Sequence, residues 1–335
     1  MSPCAGGSGV RIGITYDLRA DYLAAGYGEE ETAEFDQVGT IDAIDSAIQA
    51  LGHQTERVGN VRALVSRLSS GATWDLVFNI AEGLHGYGRE AVIPALLEAY
   101  DIPCVFSDPL VMALTLHKGL AKNVIRDKGI LTPEFAVAEN RADLELIRLP
   151  FPLFVKPVSE GTGKGVTTAS KVRNQEELIA VGLELIQKYR QPVLVETFLP
   201  GREFTVGILG CGDEARVMGA MEIILLANSD PEVYSYRNKE ICEEVVEYRL
   251  ATDACAEAAM QTALAVYRAL NCLDGGRVDL RCDDVGRPQF IEVNPLAGLH
   301  PEHSDLCILA TKVGMPYLEL IRTIVDSAIG RADRR

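Results

Sequence analysis

The chain has 335 residues, with 32 Lys and Arg against 48 Asp and Glu, a formal net charge of −16. That balance excludes a nucleic-acid binder built on a basic face and docking on an anionic membrane surface. At 47% hydrophobic and 24% charged residues, the composition excludes a disordered chain, and the length predicts two to three lobes.

Residues 1–9 are rich in Gly and Ser and lack the basic and apolar regions of a signal peptide, so a loose tail is expected. Residues 10–16 predict a buried strand, and 37–51 have helical periodicity that stops before Gly52. An apolar strand at 75–81 opens into a Gly-rich loop at 82–88 and a helix at 90–100; 104–106 reads as a short strand. This alternation predicts parallel βαβ units in a doubly wound, Rossmann-like lobe over 10–107. One amphipathic helix is expected over 110–128, ending at Gly129.

The pattern then changes. Strands are expected at 152–157, 166–171, 193–198 and 203–210, mostly without intervening helices, which predicts antiparallel sheets. A helix at 175–188 lies inside that block. Further strands are expected at 215–226, 276–283 and 288–294, and helices at 253–270, 304–313 and 316–329. The polar stretch 227–247 reads as a long loop, and such loops are often functional. The fold class is therefore α/β in the first lobe and α+β beyond it. The eight cysteines are scattered without a C-x-x-C pair, so zinc is not expected. They read as reduced, mostly buried thiols of a cytoplasmic protein. No apolar run reaches the roughly 20 residues that span a bilayer.

Four segments could carry chemistry. Lys156-Pro157 leads into Glu160, Gly161, Thr162, Gly163, Lys164 and Gly165. Glycines let backbone N–H groups approach a phosphate and the lysine supplies charge; a hairpin turn that needs glycine fits the same residues. Glu196, Thr197 and Leu199, with Glu203, read as a strand end whose backbone could face an adenine and whose carboxylates could hold ribose hydroxyls. An ordinary strand end fits them too. Arg277 and Asp279 share one face of a strand, as do Glu292 and Asn294 on the next. If these strands pair, Asp279, Glu292 and Asn294 offer hard oxygen donors suited to Mg²⁺. Val278, Leu280, Ile291 and Val293 are expected on the opposite face, and a solvated sheet face is the alternative. The loop from Gly298 to Asp305 offers a backbone N–H for an oxyanion. His300 and His303 lack a third metal ligand nearby and read as loop residues.

Taken in order, these motifs resemble the ATP-grasp superfamily, and within it the D-alanine–D-alanine ligase family. The resemblance runs from about residue 75 to 329 and rests on VKPVSEGTGKGV at 155–166, VETFLPGREFTVGIL at 195–209 and GRVDLRCDDVGRPQFIEVNPLAGL at 276–299. It implies a Rossmann-like substrate lobe at 10–107, a central ATP-grasp lobe at 108–195 and a C-terminal lobe at 196–330, with a lid at 227–247. ATP would lie between the last two lobes.

Residue by residue, the resemblance implies that Lys118 and Lys156 hold phosphates. The turn residues Glu160, Gly161, Thr162, Gly163 and Gly165 would cover them. Glu196 would meet the adenine amino group, Thr197 and Leu199 would offer backbone contacts, and Glu203 would hold the ribose. Lys239 would reach the γ-phosphate. Asp279, Glu292 and Asn294 would hold Mg²⁺, for which Mn²⁺ can substitute. Arg277 and the Gly298 amide would stabilise an oxyanion. Ser304 would hold the second substrate's carboxylate, through a one-residue insertion, with His303, His85 and Asp17 as further substrate-side residues.

Two departures concern the first substrate. The N-terminal glutamate expected after the first strand is replaced by Thr15-Tyr16-Asp17-Leu18-Arg19, and Glu240 stands where the family has Tyr or Phe. A carboxylate at Glu240 could take over the ammonium contact. The implied activity is an ATP-dependent ligase working through an acyl phosphate, as a homodimer on small amino acids. Three readings stand: a D-alanine–D-alanine ligase, a ligase for another acid and amine, and an ATP-binding module without turnover.

Overall fold

The structure, a computed structural model, describes residues 9–226 and 245–334. Lys239, Glu240 and most of the predicted lid fall outside the described residues.

The first sheet is parallel, in the order β2 (Gln54–Gly59), β1 (Arg11–Thr15), β3 (Leu76–Asn79). Ile12, Ile14, Leu76 and Phe78 face one core together with Ile41, Ile44 and Ile48 of helix α2 (Val38–Ala50). Val77 faces a second core with Leu64 and Leu68 of α3 (Val61–Ser69) and Ile93 and Leu97 of α4 (Val92–Ala99). Apolar residues on both faces of a parallel sheet are what crossover helices require. Helix α1 (Arg19–Ala24) precedes α2. The expected strand at 104–106 is only a single bridge, Cys104 to Val77. The C-terminal helix returns to this lobe, placing Leu320, Ile321, Ile324 and Val325 in the first core.

The helix expected over 110–128 is two, α5 (Pro109–Leu116) and α6 (Lys118–Asp127). His117 breaks them with ψ 89°, and its Nδ1 accepts the Leu120 N–H at 3.2 Å as a cap. An antiparallel four-stranded sheet follows, in the order β4 (Phe135–Ala138), β7 (Val193–Thr197), β5 (Leu153–Pro157), β6 (Lys171–Val172). Helices α7 (Arg141–Leu146) and α8 (Gln175–Tyr189) cover it. The strand expected at 166–171 is instead a 3₁₀ turn, Thr168–Ser170, before the two-residue β6.

The third sheet is antiparallel, in the order β10 (Val246–Ala251), β9 (Arg216–Leu225), β8 (Glu203–Leu209), β11 (Gly275–Cys282), β12 (Pro288–Asn294). Helix α9 (Ala254–Ala269) packs on it through Ala256, Ala259 and Ala263, small residues three and four apart that let helix and sheet approach closely. Helices α10 (Asp305–Lys312) and α11 (Tyr317–Ala332) close the chain.

One sheet irregularity matters for the site. Asp279 pairs with Glu292 but Leu280 pairs with Phe290, so Ile291 is the extra residue of a bulge. Ile291 therefore turns into the cleft beside Glu292 instead of joining Val278, Leu280 and Val293 on the buried face, as simple alternation predicts.

Among the described cysteines, Cys272, Cys282 and Cys307 are buried and Cys104, Cys211 and Cys255 are half-buried; all six are free thiols. Among the described residues no helix is long and apolar enough to cross a membrane.

Candidate active site

A cleft opens between the second and third sheets. Its walls bring together Lys118, Lys156, Glu160, Gly163, Glu196, Thr197, Leu199, Glu203, Asp279 and Glu292, residues separated by up to 174 positions. The sequence motifs thus converge on one place.

The deepest feature is a buried charge triad. The Glu196 carboxylate lies 2.9 Å from Lys122 Nζ and 2.8 Å from Lys156 Nζ. Burial would raise the Glu196 carboxyl, but the two ammonium groups reverse that and hold it below its ordinary value. Burial pulls Lys122 down to about 8 against the pull of Glu196. Lys156 is raised, because Glu196 and Glu292 outweigh its own burial. Lys122 also donates to the Phe290 carbonyl (3.0 Å) and Thr132 Oγ1 (2.9 Å), tying α6 to β12. The sequence reading missed Lys122. The signal was present, since Lys118 and Lys122 are one helical turn apart and share a face of α6.

The glycine-rich turn is held from the N-terminal lobe. Gly161 N–H donates to Glu34 Oε1 at 2.6 Å, and Lys164 reaches Glu34 at 3.1 Å and Glu160 at 2.5 Å. A Cβ on residue 161 would lie 2.8 Å from Glu34 Oε1, so any larger residue there would push the Glu34 carboxylate out of this contact. Arg89 donates to Glu34 at 2.9 Å and to the Ser159 carbonyl at 2.8 Å. Burial opposes the Glu34 charge, yet Arg89, Lys164 and the Gly161 N–H bring its carboxyl down to about 2. Glu34 and Arg89 carry no local sequence signature; only packing between lobes reveals them. Lys118 donates to the Glu160 carbonyl (2.6 Å) and lies 3.5 Å from Glu292. Gly165 and Thr162 lie in the same turn, both with positive φ.

At the sheet, Asp279 sits directly opposite Glu292, and Asn294 opposite Arg277. Asn294 Nδ2 donates to Asp279 Oδ2 at 3.1 Å, and Thr205 donates to Asp279 Oδ1 at 2.8 Å. Among the described residues no three His, Cys, Asp or Glu side chains form a metal cage. Two carboxylates and an amide nevertheless suit a hard cation that shares its coordination with phosphate oxygens. Arg277 pairs with Asp305 and lies 3.7 Å from Asp279. Glu203 pairs with Arg281 at 3.3 Å.

Other predicted residues are placed differently. Thr197 donates its N–H to the Glu134 carbonyl at 2.9 Å, so that donor is committed to the sheet edge and cannot read a base. Asp17 is 3% exposed and accepts from Tyr22 Oη (2.5 Å) and the Gly83 N–H (2.8 Å); it braces a loop. His85 is exposed, outside the cleft walls. His303 stacks on His300 with ring centroids 4.5 Å apart. Ser304 Oγ accepts the His300 N–H at 2.9 Å and would lie 2.8 Å from a Cβ on Gly298, so it holds the loop that presents the Gly298 backbone.

Residues 125–326 match the family described as D-ala D-ala ligase C-terminus. The chain is 31% identical over 301 residues to the uncharacterized protein y4sG of Sinorhizobium fredii, covering 86% of each chain. It is 34% identical over 250 residues to the D-alanine–D-alanine ligase of Bordetella petrii, covering 73% of this chain and 74% of that protein. The crystal structure of D-alanine–D-alanine ligase from Bacillus anthracis complexed with ATP aligns with a TM-score of 0.72 and 23% identity over 97% of this chain and 99% of that one, a likeness that shows the fold. The order of sheets, the convergence of the three motifs and the matched residues lead to one assignment: the chain has the ATP-grasp fold and belongs to the D-alanine–D-alanine ligase family.

Proposed function

We propose that the protein is an ATP-dependent carboxylate–amine ligase that joins two small amino acids through an acyl phosphate. D-alanyl-D-alanine for peptidoglycan precursors is the product that the names of its relatives point to. The observation that carries this reading is the single cleft shared by two phosphate-type lysines, a glycine-rich turn and a cross-strand carboxylate pair.

In this reading Lys118 and Lys156 bind the phosphates, Glu196 and Glu203 face adenine and ribose, and Leu199 borders the base. Gly161, Thr162, Gly163 and Gly165 let the turn close over the phosphates, and Glu160 orients Lys118 through its carbonyl. Asp279, Glu292 and Asn294 would hold Mg²⁺ or Mn²⁺, which when bound offsets phosphate charge. Positioning and electrostatics dominate phosphoryl transfer. A carboxylate oxygen of the first amino acid attacks the γ-phosphorus and ADP leaves. The amine of the second attacks the acyl carbon, and phosphate departs with the oxygen it received. Arg277, fixed by Asp305, and the Gly298 N–H would stabilise the tetrahedral oxyanion. The predicted Lys239 and Glu240 contributions remain part of the proposal. So do the three-lobe division and the homodimer, which rest on the family resemblance, and the cytoplasmic setting, which rests on the scattered cysteines.

The test is incubation with Mg-ATP and panels of D- and L-amino acids, following ADP release and product mass. Amino-acid-dependent ADP release with a dipeptide product is expected, D-alanine giving the D,D-dipeptide. Nucleotide binding without turnover on any amino acid would contradict the reading.

A further inference from the structure

On β11 the alternate residues Arg277, Asp279 and Arg281 are half-buried on one face, while Val278, Leu280 and Cys282 are buried on the other. The neighbouring strand β8 sets Gly207, Thr205 and Glu203 opposite them in turn. The ligase reading uses Arg277 at the reacting carbon and Asp279 at the metal. It gives no task to Arg281, although Arg281 lines the cleft as Asp279 does. At the rise of a strand, Arg281 stands roughly 7 Å beyond Asp279. That is the end of the cleft at which Glu203 stands.

The Arg281 guanidinium is held by two different elements. Its Nη1 lies 3.3 Å from Oε2 of Glu203, its direct cross-strand neighbour. Its central carbon stands 5.0 Å from the centre of the Phe198 ring, in the turn after β7. Phe198 and Glu203 line the same cleft. The pair is not needed as a strut, because β8 and β11 already pair along the ladder from Gly275 to Arg281. It does matter for a ligand. A lone Glu203 carboxylate would meet an incoming polyphosphate as a like charge and would be free to turn about its side-chain bonds. Arg281 balances the charge and fixes the direction, since its planar fork holds a carboxylate in one geometry.

We propose that Arg281 is the positioning residue of the nucleoside end: it fixes the Glu203 carboxylate for the ribose hydroxyls and so makes the site select ribonucleoside over deoxyribonucleoside triphosphates. The assignment rests on Glu203 as the ribose ligand in the reading above. An ionised carboxylate offers about four acceptor positions on its two oxygens, so Arg281 and sugar hydroxyls are accommodated together. A carboxylate fixed before the sugar arrives accepts it without reordering, and a sugar that lacks the hydroxyl leaves that acceptor unmet. An Arg281 that instead touched a phosphate would favour ribo- and deoxyribonucleotides alike.

The test is equilibrium binding of Mg-ATP, 2′-deoxy-ATP and 3′-deoxy-ATP to the wild type and to R281Q, R281M and E203Q, which needs no turnover. The wild type should bind at least one deoxynucleotide about 10-fold or more weakly than ATP. R281Q and R281M should weaken ATP by about 10-fold and bring the deoxynucleotide-to-ATP ratio of Kd values to within about threefold. A merely structural role, or a phosphate contact, would lower affinity for all three nucleotides and leave that ratio where it was. The wild-type ratio retained in either folded Arg281 variant therefore overturns the proposal, so R281Q, which keeps most of the side-chain stem, carries the test if R281M does not fold. E203Q should lose the preference as well. A wild type without preference, or an E203Q variant that keeps it, would remove the ribose assignment of Glu203 and the proposal with it.

Discussion

Glu196 and Glu90 are both buried glutamates, yet among the described residues one lies between two lysines and the other contacts no cation. Glu34 repeats the first pattern and Asp36 the second. On the nucleotide side each buried charge has its partner before ligand arrives, which fixes side-chain positions at a desolvation cost already met within the fold. Among the described residues no cation contacts Asp36, Glu82 or Glu90 of the N-terminal lobe, and burial with neighbouring carboxylates holds their protons more tightly than usual. The difference separates carboxylates whose charge is balanced within the fold from carboxylates that keep their protons instead.

The largest expected effect tests the prebuilt wall. Lys122 is fully buried, and Lys122→Met leaves Glu196 with one partner and removes the bonds from Lys122 to Thr132 and the Phe290 carbonyl, which keep only each other. Stability should fall by about 3–5 kcal/mol, read from denaturant midpoints at constant m. A change under about 1 kcal/mol would mean that Lys156 alone suffices. Arg277→Leu should lower kcat by about 10²–10³ while the KM for ATP changes little, measured by steady-state kinetics on folded protein.

A pH series separates the two kinds of carboxylate. Burial, with the Asp17 charge, raises Asp36 from 3.8 to about 7. The folded protein holds a proton there that the unfolded chain releases. The stability this gives is complete below the unfolded value and is lost as pH rises through about 7. Asp36→Asn should therefore gain on the wild type as pH rises from 4, by about 4 kcal/mol once pH reaches 7. Glu34 has the opposite sign: its contribution is present above its ordinary value of 4.5 and is lost as pH falls toward about 2. Glu34→Gln should flatten the acid limb of the stability profile. The smallest effect is at the half-exposed Glu30–Lys188 pair, 2.9 Å apart. There Lys188→Ala should cost under about 1 kcal/mol, and less in high salt.

Much of the prebuilt wall was legible in the sequence, because its residues lie in contiguous segments with strand periodicity and a glycine-rich turn. Asp279, Glu292, Lys156 and Glu203 fall where those segments place them. Ile291 did not, because a bulge breaks the period of two and no single strand's sequence announces it. His117 likewise looks compatible with one continuous helix, and only its backbone angle and capping bond show the break. The N-terminal wall was hardest to read. Glu34, Glu82 and Glu90 acquire meaning from one another across loops, and Asp17, singled out by position, turns out to brace Gly83.

The central claim, transfer of a phosphoryl group to a substrate carboxylate, is tested most directly by oxygen tracing. The amino acid that supports turnover is labelled with ¹⁸O in its carboxylate, and the released phosphate is analysed by mass during ligation. An acyl phosphate leaves one ¹⁸O atom in each phosphate formed. Phosphate that carries no label, with ADP still released, would show that water and not the carboxylate attacks the nucleotide, and would contradict the account.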